Sequence, residues 1–135
     1  MQEEAFMRDI DDVPAPNGDL ALQVIAMPAD TNADGDIYGG WLMSQMDLAG
    51  GITAGRRAGG RIATVAVAGM AFLTPVNVGA VVSCYTEILE VGRSSIRVNV
   101  EVWTTEYDDE EPVKVTEGEF VFVAIDDNGR TRAVD

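Results

Sequence analysis

The sequence contains no histidine, one lysine and one cysteine among its 135 residues. The absence of histidine excludes Ser-His and Cys-His nucleophile pairs and zinc sites built on imidazole. A general base must therefore be a carboxylate, a lysine, a tyrosine or a chain terminus. The lysine, Lys114, is followed closely by Glu117 and Glu119, and we expect it on a solvated strand surface. The cysteine, Cys84, has no partner for an internal disulfide and is expected to pack within a strand.

Long apolar runs and a net positive charge are also missing. No segment approaches the roughly 18 apolar residues of a transmembrane helix, so no membrane association is expected. The N-terminal segment is acidic where a secretory signal would be basic, which predicts a cytoplasmic location. The formal net charge of −14 argues against nucleic acid as a partner, because phosphate backbones are bound by clustered Lys and Arg.

The few basic residues are concentrated in the middle of the chain. Residues 48–100 contain five arginines and two glutamates, a balance of +3, while the rest of the chain carries the acidic surplus. A local surplus of arginine suits an anionic ligand in an otherwise acidic protein. The five arginines are Arg56, Arg57, Arg61, Arg93 and Arg97.

The chain length predicts one domain with a single core. Residues 1–19 are acidic and contain turn signals, and we interpret them as a loose leader before a domain that spans residues 20–135. A segment of helical length, 41–58, ends at Gly59-Gly60. The hydrophobic patterns and turn signals predict five strands, at 20–27, 61–73, 79–91, 94–106 and 113–125.

One strand, one long helix and four consecutive antiparallel strands describe an α+β fold of the hot-dog type, a sheet wrapped around a central helix. Gly50, Gly51 and Gly55 each weaken the helix by roughly 1 kcal/mol relative to alanine. We therefore expect tertiary packing to compensate, with the helix buried on nearly all sides by a curved sheet. A single such sheet leaves an edge strand uncovered, which predicts a homo-oligomer, a dimer at least.

Asp47 is the one carboxylate in the middle of this nearly uncharged helix. Without histidine in the chain, it is the main candidate for a general base or a nucleophile. The helix opens at Gly39-Gly40, where backbone amides without side-chain obstruction can donate to a developing oxyanion. The structural alternatives are a helix Asp that is satisfied by nearby amides and a glycine pair that only forms a tight turn.

Four stretches carry the most specific pattern: MPADTNADGDIYGGWLMSQMD, TVAVAGMAFLTPVNVGAVVSCY, VGRSSIRVNVEVW and FVFVAIDDNGRTR. In this order and spacing, over roughly residues 22–132, they resemble the YciA-like acyl-CoA thioesterases of the hot-dog superfamily. The resemblance implies hydrolysis of acyl-CoA to a free acid and coenzyme A, with no further cofactor and no metal. It also implies a homo-oligomer, up to a hexamer formed as a trimer of dimers.

The resemblance also implies roles for single residues. Asp47 matches the catalytic carboxylate, as base or nucleophile, and Asn32 matches an asparagine that positions the thioester or water. The amide of Gly40 acts on the thioester oxygen, and Thr64 matches a polar position near the site of the opposite subunit. The residues that match the segment for coenzyme A phosphates are Gly92, Arg93, Ser94 and Ser95, with Arg61 as a further candidate.

Two positions depart from the family pattern. Tyr38 stands where many superfamily members have histidine, which implies that imidazole is dispensable here. Ala71 stands where relatives often have asparagine, which changes the polarity of the pocket. The stretch DTNADG also matches the opening of a calcium loop, but Trp41 occupies the position of the required bidentate glutamate, so no metal is expected.

Other interpretations remain open. For Arg56, Arg57 and Arg61, capping of the helix C-terminus is at least as good an explanation as a ligand role. One alternative function is a hot-dog acyl-CoA hydratase or dehydratase, although those enzymes resemble one another in using a histidine with an acidic partner. The other is a non-catalytic acyl-CoA binding module that retains the pocket.

Overall fold

The computed structural model describes residues 15–109 and 111–135. Strand β1 (Asp19–Ile25) is followed by a short 3-10 turn at Pro28–Asp30 and by helix α1 (Gly39–Ala58). The predicted helix and five strands are all present, which confirms the α+β class. The other four strands are β2 (Ile62–Phe72), β3 (Val81–Val91), β4 (Ser95–Thr105) and β5 (Val113–Ala124).

The five strands form one antiparallel sheet with the order β1-β3-β4-β5-β2. β3, β4 and β5 follow one another in both sequence and space, whereas β1 and β2 occupy the two edges. The strict alternation in β4 places Val98, Val100 and Val102 in the core, where they are fully buried. Cys84 is fully buried within β3, as predicted.

Helix α1 packs against the sheet through small residues. A Cβ atom added at Gly50 would lie 2.9 Å from the ring of Phe122, so only glycine allows the helix to approach β5 this closely. Gly59 ends the helix in the left-handed conformation, with φ of 69°. The helix runs antiparallel to β2, since Gly39 lies against Phe72 at the end of that strand and Gly51 lies against Ile62 at its start.

One face of α1 is open to solvent in the single chain. Met43, Leu48 and Ile52 are 36%, 56% and 37% exposed, so the expected burial of the helix on nearly all sides is wrong for one chain. The edge strand β2 beside it also exposes apolar side chains, among them Val65 and Phe72. An exposed apolar helix face next to an edge strand is typical of a surface that a second molecule covers.

The described part of the predicted leader is joined to the sheet. β1 begins at Asp19, and the amide of Asn17 donates to Oε2 of the buried Glu101 over 2.6 Å. Residues 1–14, which form the rest of the predicted leader, lie outside the described residues. Among the described residues, no helix has both the length and the apolar character needed to cross a bilayer.

Candidate active site

Asp47 and Thr64 are in direct contact. Asp47 is half-buried in the middle of α1, and the Thr64 hydroxyl donates to its Oδ1 atom over 2.6 Å. The antiparallel course of α1 and β2 creates this contact, because it brings the third residue of β2 beside the centre of the helix. The other oxygen, Oδ2, accepts no hydrogen bond from residues 15–109 or 111–135. One oxygen is therefore oriented by Thr64, and the other is available to a substrate or to water.

Thr64 has a hydrogen-bond partner within its own chain. The resemblance predicts a position near the site of the opposite subunit, which stays a prediction, and in this structure the Thr64 hydroxyl donates to Asp47 of the same chain. Thr64 is also exposed on the edge strand β2, so a neighbouring chain can approach the same side chain. The contact shows that Thr64 orients the candidate catalytic carboxylate from within the chain.

The N-terminus of α1 presents backbone donors. The carbonyl oxygen of Tyr38 accepts from the amides of Trp41 and Leu42, over 3.1 and 3.4 Å. The amides of Gly39 and Gly40 have no acceptor in the part of the chain that the structure describes, and no side chain caps them. Gly40 is seven residues before Asp47, on the same face of the helix but about 10 Å away along its axis.

Asn32 organises its own loop. Its Oδ1 atom accepts from the amides of Asp34 and Asp36, over 2.9 and 3.1 Å, and Thr31 pairs with Ile37 across the loop. This arrangement leaves the Nδ2 donor of an exposed side chain without a contact to Asp47 or Gly40 of the same chain. The structure therefore joins Thr64 to Asp47 by a hydrogen bond, whereas among the described residues Asn32 makes no hydrogen bond to either.

The residues predicted to bind phosphate gather at one end of the sheet. The amide of Ile125 donates to the carbonyl of Arg61, and the amide of Ala124 donates to the carbonyl of Ser94. The tip between β3 and β4 is closed by the amide of Gly92, which donates to the carbonyl of Ser95. Arg93 is exposed at this tip. The predicted segment and Arg61 are thus brought together around the end of β5.

The arginines at this end of the sheet differ in the contacts that their side chains make. Arg61 donates through Nη1 to the carbonyls of Asp126 and Asp127, so it also secures the turn after β5. Arg57 forms a bidentate pair with Asp135, at 2.8 and 3.0 Å, and this contact holds the pKa of the Asp135 carboxyl below its ordinary value. Arg57 is therefore explained structurally, whereas Arg93 makes no side-chain hydrogen bond or ion pair with the described residues.

Sequence reasoning missed one contributor, Arg132. Its guanidinium donates to the carbonyl of Ala58, at the C-terminus of α1, and to the carbonyls of Ile125 and Ala133. It thereby ties the last segment of the chain to the helix that carries Asp47. The only signal for this role was that Arg132 ends the last of the four family-like stretches.

Lys114 lies on the strand surface with 28% of its side chain exposed, and its ammonium group is paired rather than free. Its ammonium group pairs with Glu101 at 2.9 Å and with Glu117 at 2.6 Å. Glu101 is 1% exposed, so this lysine compensates a buried carboxylate. The hydrogen bond and charge of Glu117 raise the pKa of Lys114, which keeps the amine protonated and unsuited to the role of a base.

Two cavities lie on either side of α1. One, of about 550 Å³, is bordered by charged residues that include Arg56, Arg57 and Glu87. The other, of about 250 Å³, lies beside the first turn of the helix and is lined by Ile37, Gly39, Leu42, Phe72, Leu73, Thr74, Pro75 and Val76.

Comparison with known proteins identifies the family. The profile of the thioesterase superfamily matches residues 34–109, which include α1 and its contact with β2. The chain belongs to the thioesterase superfamily. The acyl-CoA thioester hydrolase YciA of Escherichia coli K12 is 52% identical to it over 122 residues, which cover 88% of this chain and 92% of that protein.

Solved structures of thioesterases agree with this assignment. A structure described as a hexameric broad-specificity acyl-coenzyme A thioesterase is 51% identical, with a TM-score of 0.86 and coverage of 90% of this chain and 84% of the other. A hexameric hotdog-fold thioesterase of Campylobacter jejuni is 36% identical, with a TM-score of 0.83 and coverage of 87% and 91%. The predicted family and hot-dog fold are confirmed, while the roles of single residues stay predictions.

Proposed function

We propose that this thioesterase hydrolyses acyl-CoA to a free acid and coenzyme A, with Asp47 as the reacting carboxylate. The observation that carries the proposal is the contact between Asp47 and Thr64, which orients one carboxylate oxygen and leaves the other open. The names of the similar proteins, acyl-CoA thioester hydrolase and acyl-coenzyme A thioesterase, support the choice of substrate.

The carboxylate can serve in either of two ways. As a base, Asp47 takes a proton from water while the water oxygen attacks the thioester carbonyl; the C–S bond then breaks and the thiolate recovers the proton. As a nucleophile, Asp47 attacks the carbonyl carbon, the C–S bond breaks, and coenzyme A leaves as its thiolate while a mixed anhydride forms. Water then hydrolyses the anhydride to the free acid and restores the carboxylate, and a proton from that water goes to the thiolate. Both routes use the open Oδ2 atom, and neither requires a metal or a further cofactor.

One chain alone does not complete the site. A base and an oxyanion donor must both lie within about 3 Å of the reacting groups. Gly40 and Asp47 of one chain are about 10 Å apart along the helix, too far to serve one carbonyl and its attacking water. We therefore infer that the donors come from a second chain.

Pairing between two copies of β2 supplies that second chain. Antiparallel pairing places the end of one β2 beside the start of the other, and Gly39 lies at the end of β2 whereas Thr64 lies near its start. Gly40 of the partner subunit and Asn32 of the partner subunit then approach Asp47. The exposed apolar residues of β2 and α1 become covered, and such dimers can assemble further into a hexamer, the state in which the similar structures are described.

The coenzyme A moiety extends from this site towards the arginine-bearing end of the sheet. Arg61 is three residues before Thr64 in the chain, which corresponds to roughly 10 Å along a strand. Arg93 lies beyond it at the exposed tip formed by Gly92, Ser94 and Ser95. A guanidinium without an ion pair among the described residues is suited to a phosphate group, even in a protein of net charge −14.

Release of thiol from acyl-CoA by the wild type and by Asp47→Asn tests the proposal. Loss of a positioned acid or base typically costs about 10²- to 10⁴-fold, so we expect Asp47→Asn to lose turnover on that scale while it still binds acyl-CoA. Equal turnover by the two proteins would remove Asp47 from the mechanism. Binding of acyl-CoA by a wild type that releases no thiol would instead support a non-catalytic binding module.

A further inference from the structure

The cavity of about 250 Å³ at the start of α1 is not used by the chemistry described so far. It lies where β2 ends and the chain turns through Thr74 and Pro75. The amides of Leu73 and Thr74 both donate to the carbonyl of Val115, which fixes this turn against β5. These hydrogen bonds fix the backbone that carries one side of the cavity lining.

The lining of this cavity is almost wholly apolar. Leu42 and Val76 are buried, Ile37 is 9% exposed, and the side chains of Phe72 and Leu73 form an open rim. No charged residue borders the cavity. Its lining therefore suits an alkyl chain and disfavours an acyl group that ends in a carboxylate.

The backbone donors of the helix N-terminus lie at the same place. Gly39 is part of the lining, and its amide and that of Gly40 have no acceptor among residues 15–109 and 111–135. A Cβ atom at Gly39 would lie 3.1 Å from the ring of Phe72, so a side chain here would crowd the space between ring and helix. A group bound to these amides has the apolar cavity directly beside it.

We propose that this cavity binds the acyl chain of the substrate and that Phe72 sets the chain length. The proposal rests on the proposed function, because the thioester oxygen must be bound by the amides of Gly39 and Gly40. The apolar lining accepts a straight alkyl chain, and the Phe72 ring at the rim limits how many methylene groups the cavity can cover. The preferred substrates are therefore straight acyl chains whose length matches the depth of this cavity.

The larger cavity on the other side of α1 is a poorer candidate for the acyl chain. Asp19, Arg56, Arg57 and Glu87 all border it, and an alkyl chain placed there would desolvate charged groups. It also adjoins the C-terminal half of the helix, away from the free amides at its start.

Substitutions at Phe72 test the assignment, because this side chain lies outside the core of the single chain, where it is 51% exposed. The proposed pairing of β2 covers Phe72, so the oligomeric state of each variant is compared with that of the wild type. kcat/KM is measured for a series of straight-chain acyl-CoA substrates. We expect each added methylene to raise kcat/KM by about fourfold until the cavity is full. Phe72→Ala should move the optimum to longer chains and Phe72→Trp to shorter ones. Leu89→Ala, which truncates an exposed side chain on β3, is the matched control and should leave the optimum unchanged.

The outcomes separate this inference from the proposed function. A wild type that releases no thiol from any acyl-CoA overturns both. An active wild type whose optimum is the same in both Phe72 variants overturns the acyl site alone. A second measurement needs no turnover: the methyl NMR signals of Leu42 and Val76 should shift when a non-hydrolysable octyl-CoA thioether is added, and unchanged signals at saturation would also overturn the acyl site.

Discussion

In the proposed mechanism, the hydroxyl of Thr64 favours one oxygen of Asp47 as the reacting atom. It donates a 2.6 Å hydrogen bond to Oδ1, which leaves Oδ2 as the more accessible oxygen for a proton or a carbonyl carbon. A hydrogen bond to a charged group contributes about 1.5–3 kcal/mol, which is enough to hold a carboxylate in one orientation. We therefore propose Thr64 as a positioning residue, and its effect is expected on kcat rather than on substrate binding.

Thr64→Val removes this hydrogen bond while it keeps the shape of the side chain. We expect kcat to fall by about tenfold or more with little change in KM, because the carboxylate loses its orientation. Thr64→Ser is the control, since it retains the hydroxyl and should retain most of the activity. Wild-type kcat in the valine variant would show that the contact has no catalytic importance.

The thiol of Cys84 is predicted to be unreactive in the folded protein. Burial raises the pKa of its thiol to about 12, so the reactive thiolate is scarce at neutral pH. A disulfide reagent such as dithiobis-nitrobenzoate should label Cys84 only after urea is added, and labelling of the native protein within minutes would contradict this. Because the unfolded thiol ionises near its ordinary pKa of 9.0, the free energy of unfolding should also decrease as the pH rises above 9.

At the scale of elements, β4 and β5 are joined by ion pairs as well as by their hydrogen-bonded register. Glu101 alternates with the core residues Val100 and Val102, so its side chain leaves the sheet on the face turned away from α1. Lys114 bridges this buried carboxylate and Glu117. The network compensates a charge that would otherwise be buried alone.

Lys114→Met should destabilise the protein by about 3 kcal/mol, because among residues 15–109 and 111–135 it leaves the carboxylate of Glu101 with the amide of Asn17 as its one donor. Arg97→Met is the control, since it removes the more exposed pairs with Glu90 and Glu119 and should cost much less. Urea unfolding at a fixed protein concentration measures both. Similar midpoints for the two variants would contradict a special role for the buried pair.

The same network predicts how stability depends on pH. The hydrogen bond and charge of Lys114 hold the pKa of Glu117 below its ordinary value of 4.5. The stabilisation is therefore present above pH 4.5 and should be lost as the pH falls below it. Urea midpoints measured between pH 3 and 7 should decrease more steeply at the acidic end in the wild type than in Glu117→Gln. Parallel curves would show that this pair does not contribute.

At the scale of the whole molecule, local patterns predicted the fold and much less of the site. The alternation in β4 and the glycines that end α1 specify elements through neighbouring residues, which is why strands and helix were predicted within a few positions. Asp47 stood out because its surroundings in sequence are apolar. The contact with Thr64 depends on how β2 returns along α1, 17 residues later, and no local pattern contains that information.

The same limit explains the errors. The exposed face of α1 was predicted to be buried because its apolar composition is typical of a buried helix. Composition does not show whether the same chain or a second molecule buries that face. The ion pair of Lys114 with Glu101 was not predicted because Glu101 lies on the neighbouring strand, 13 residues away in the chain. Arg132 was overlooked because its partner, the carbonyl of Ala58, is 74 residues away in the chain.

Mixing two inactive variants tests most directly whether the site spans two chains. Asp47→Asn removes the reacting carboxylate, and Asn32→Asp keeps the acceptor oxygen that organises the loop but removes its amide donor. In an equal mixture with random pairing, half of the dimers contain one chain of each variant. If Asn32 of the partner subunit acts on the same substrate as Asp47, each of these mixed dimers has one intact site out of two. About a quarter of the wild-type thiol release should therefore return. A mixture no more active than the separate variants would contradict the shared site.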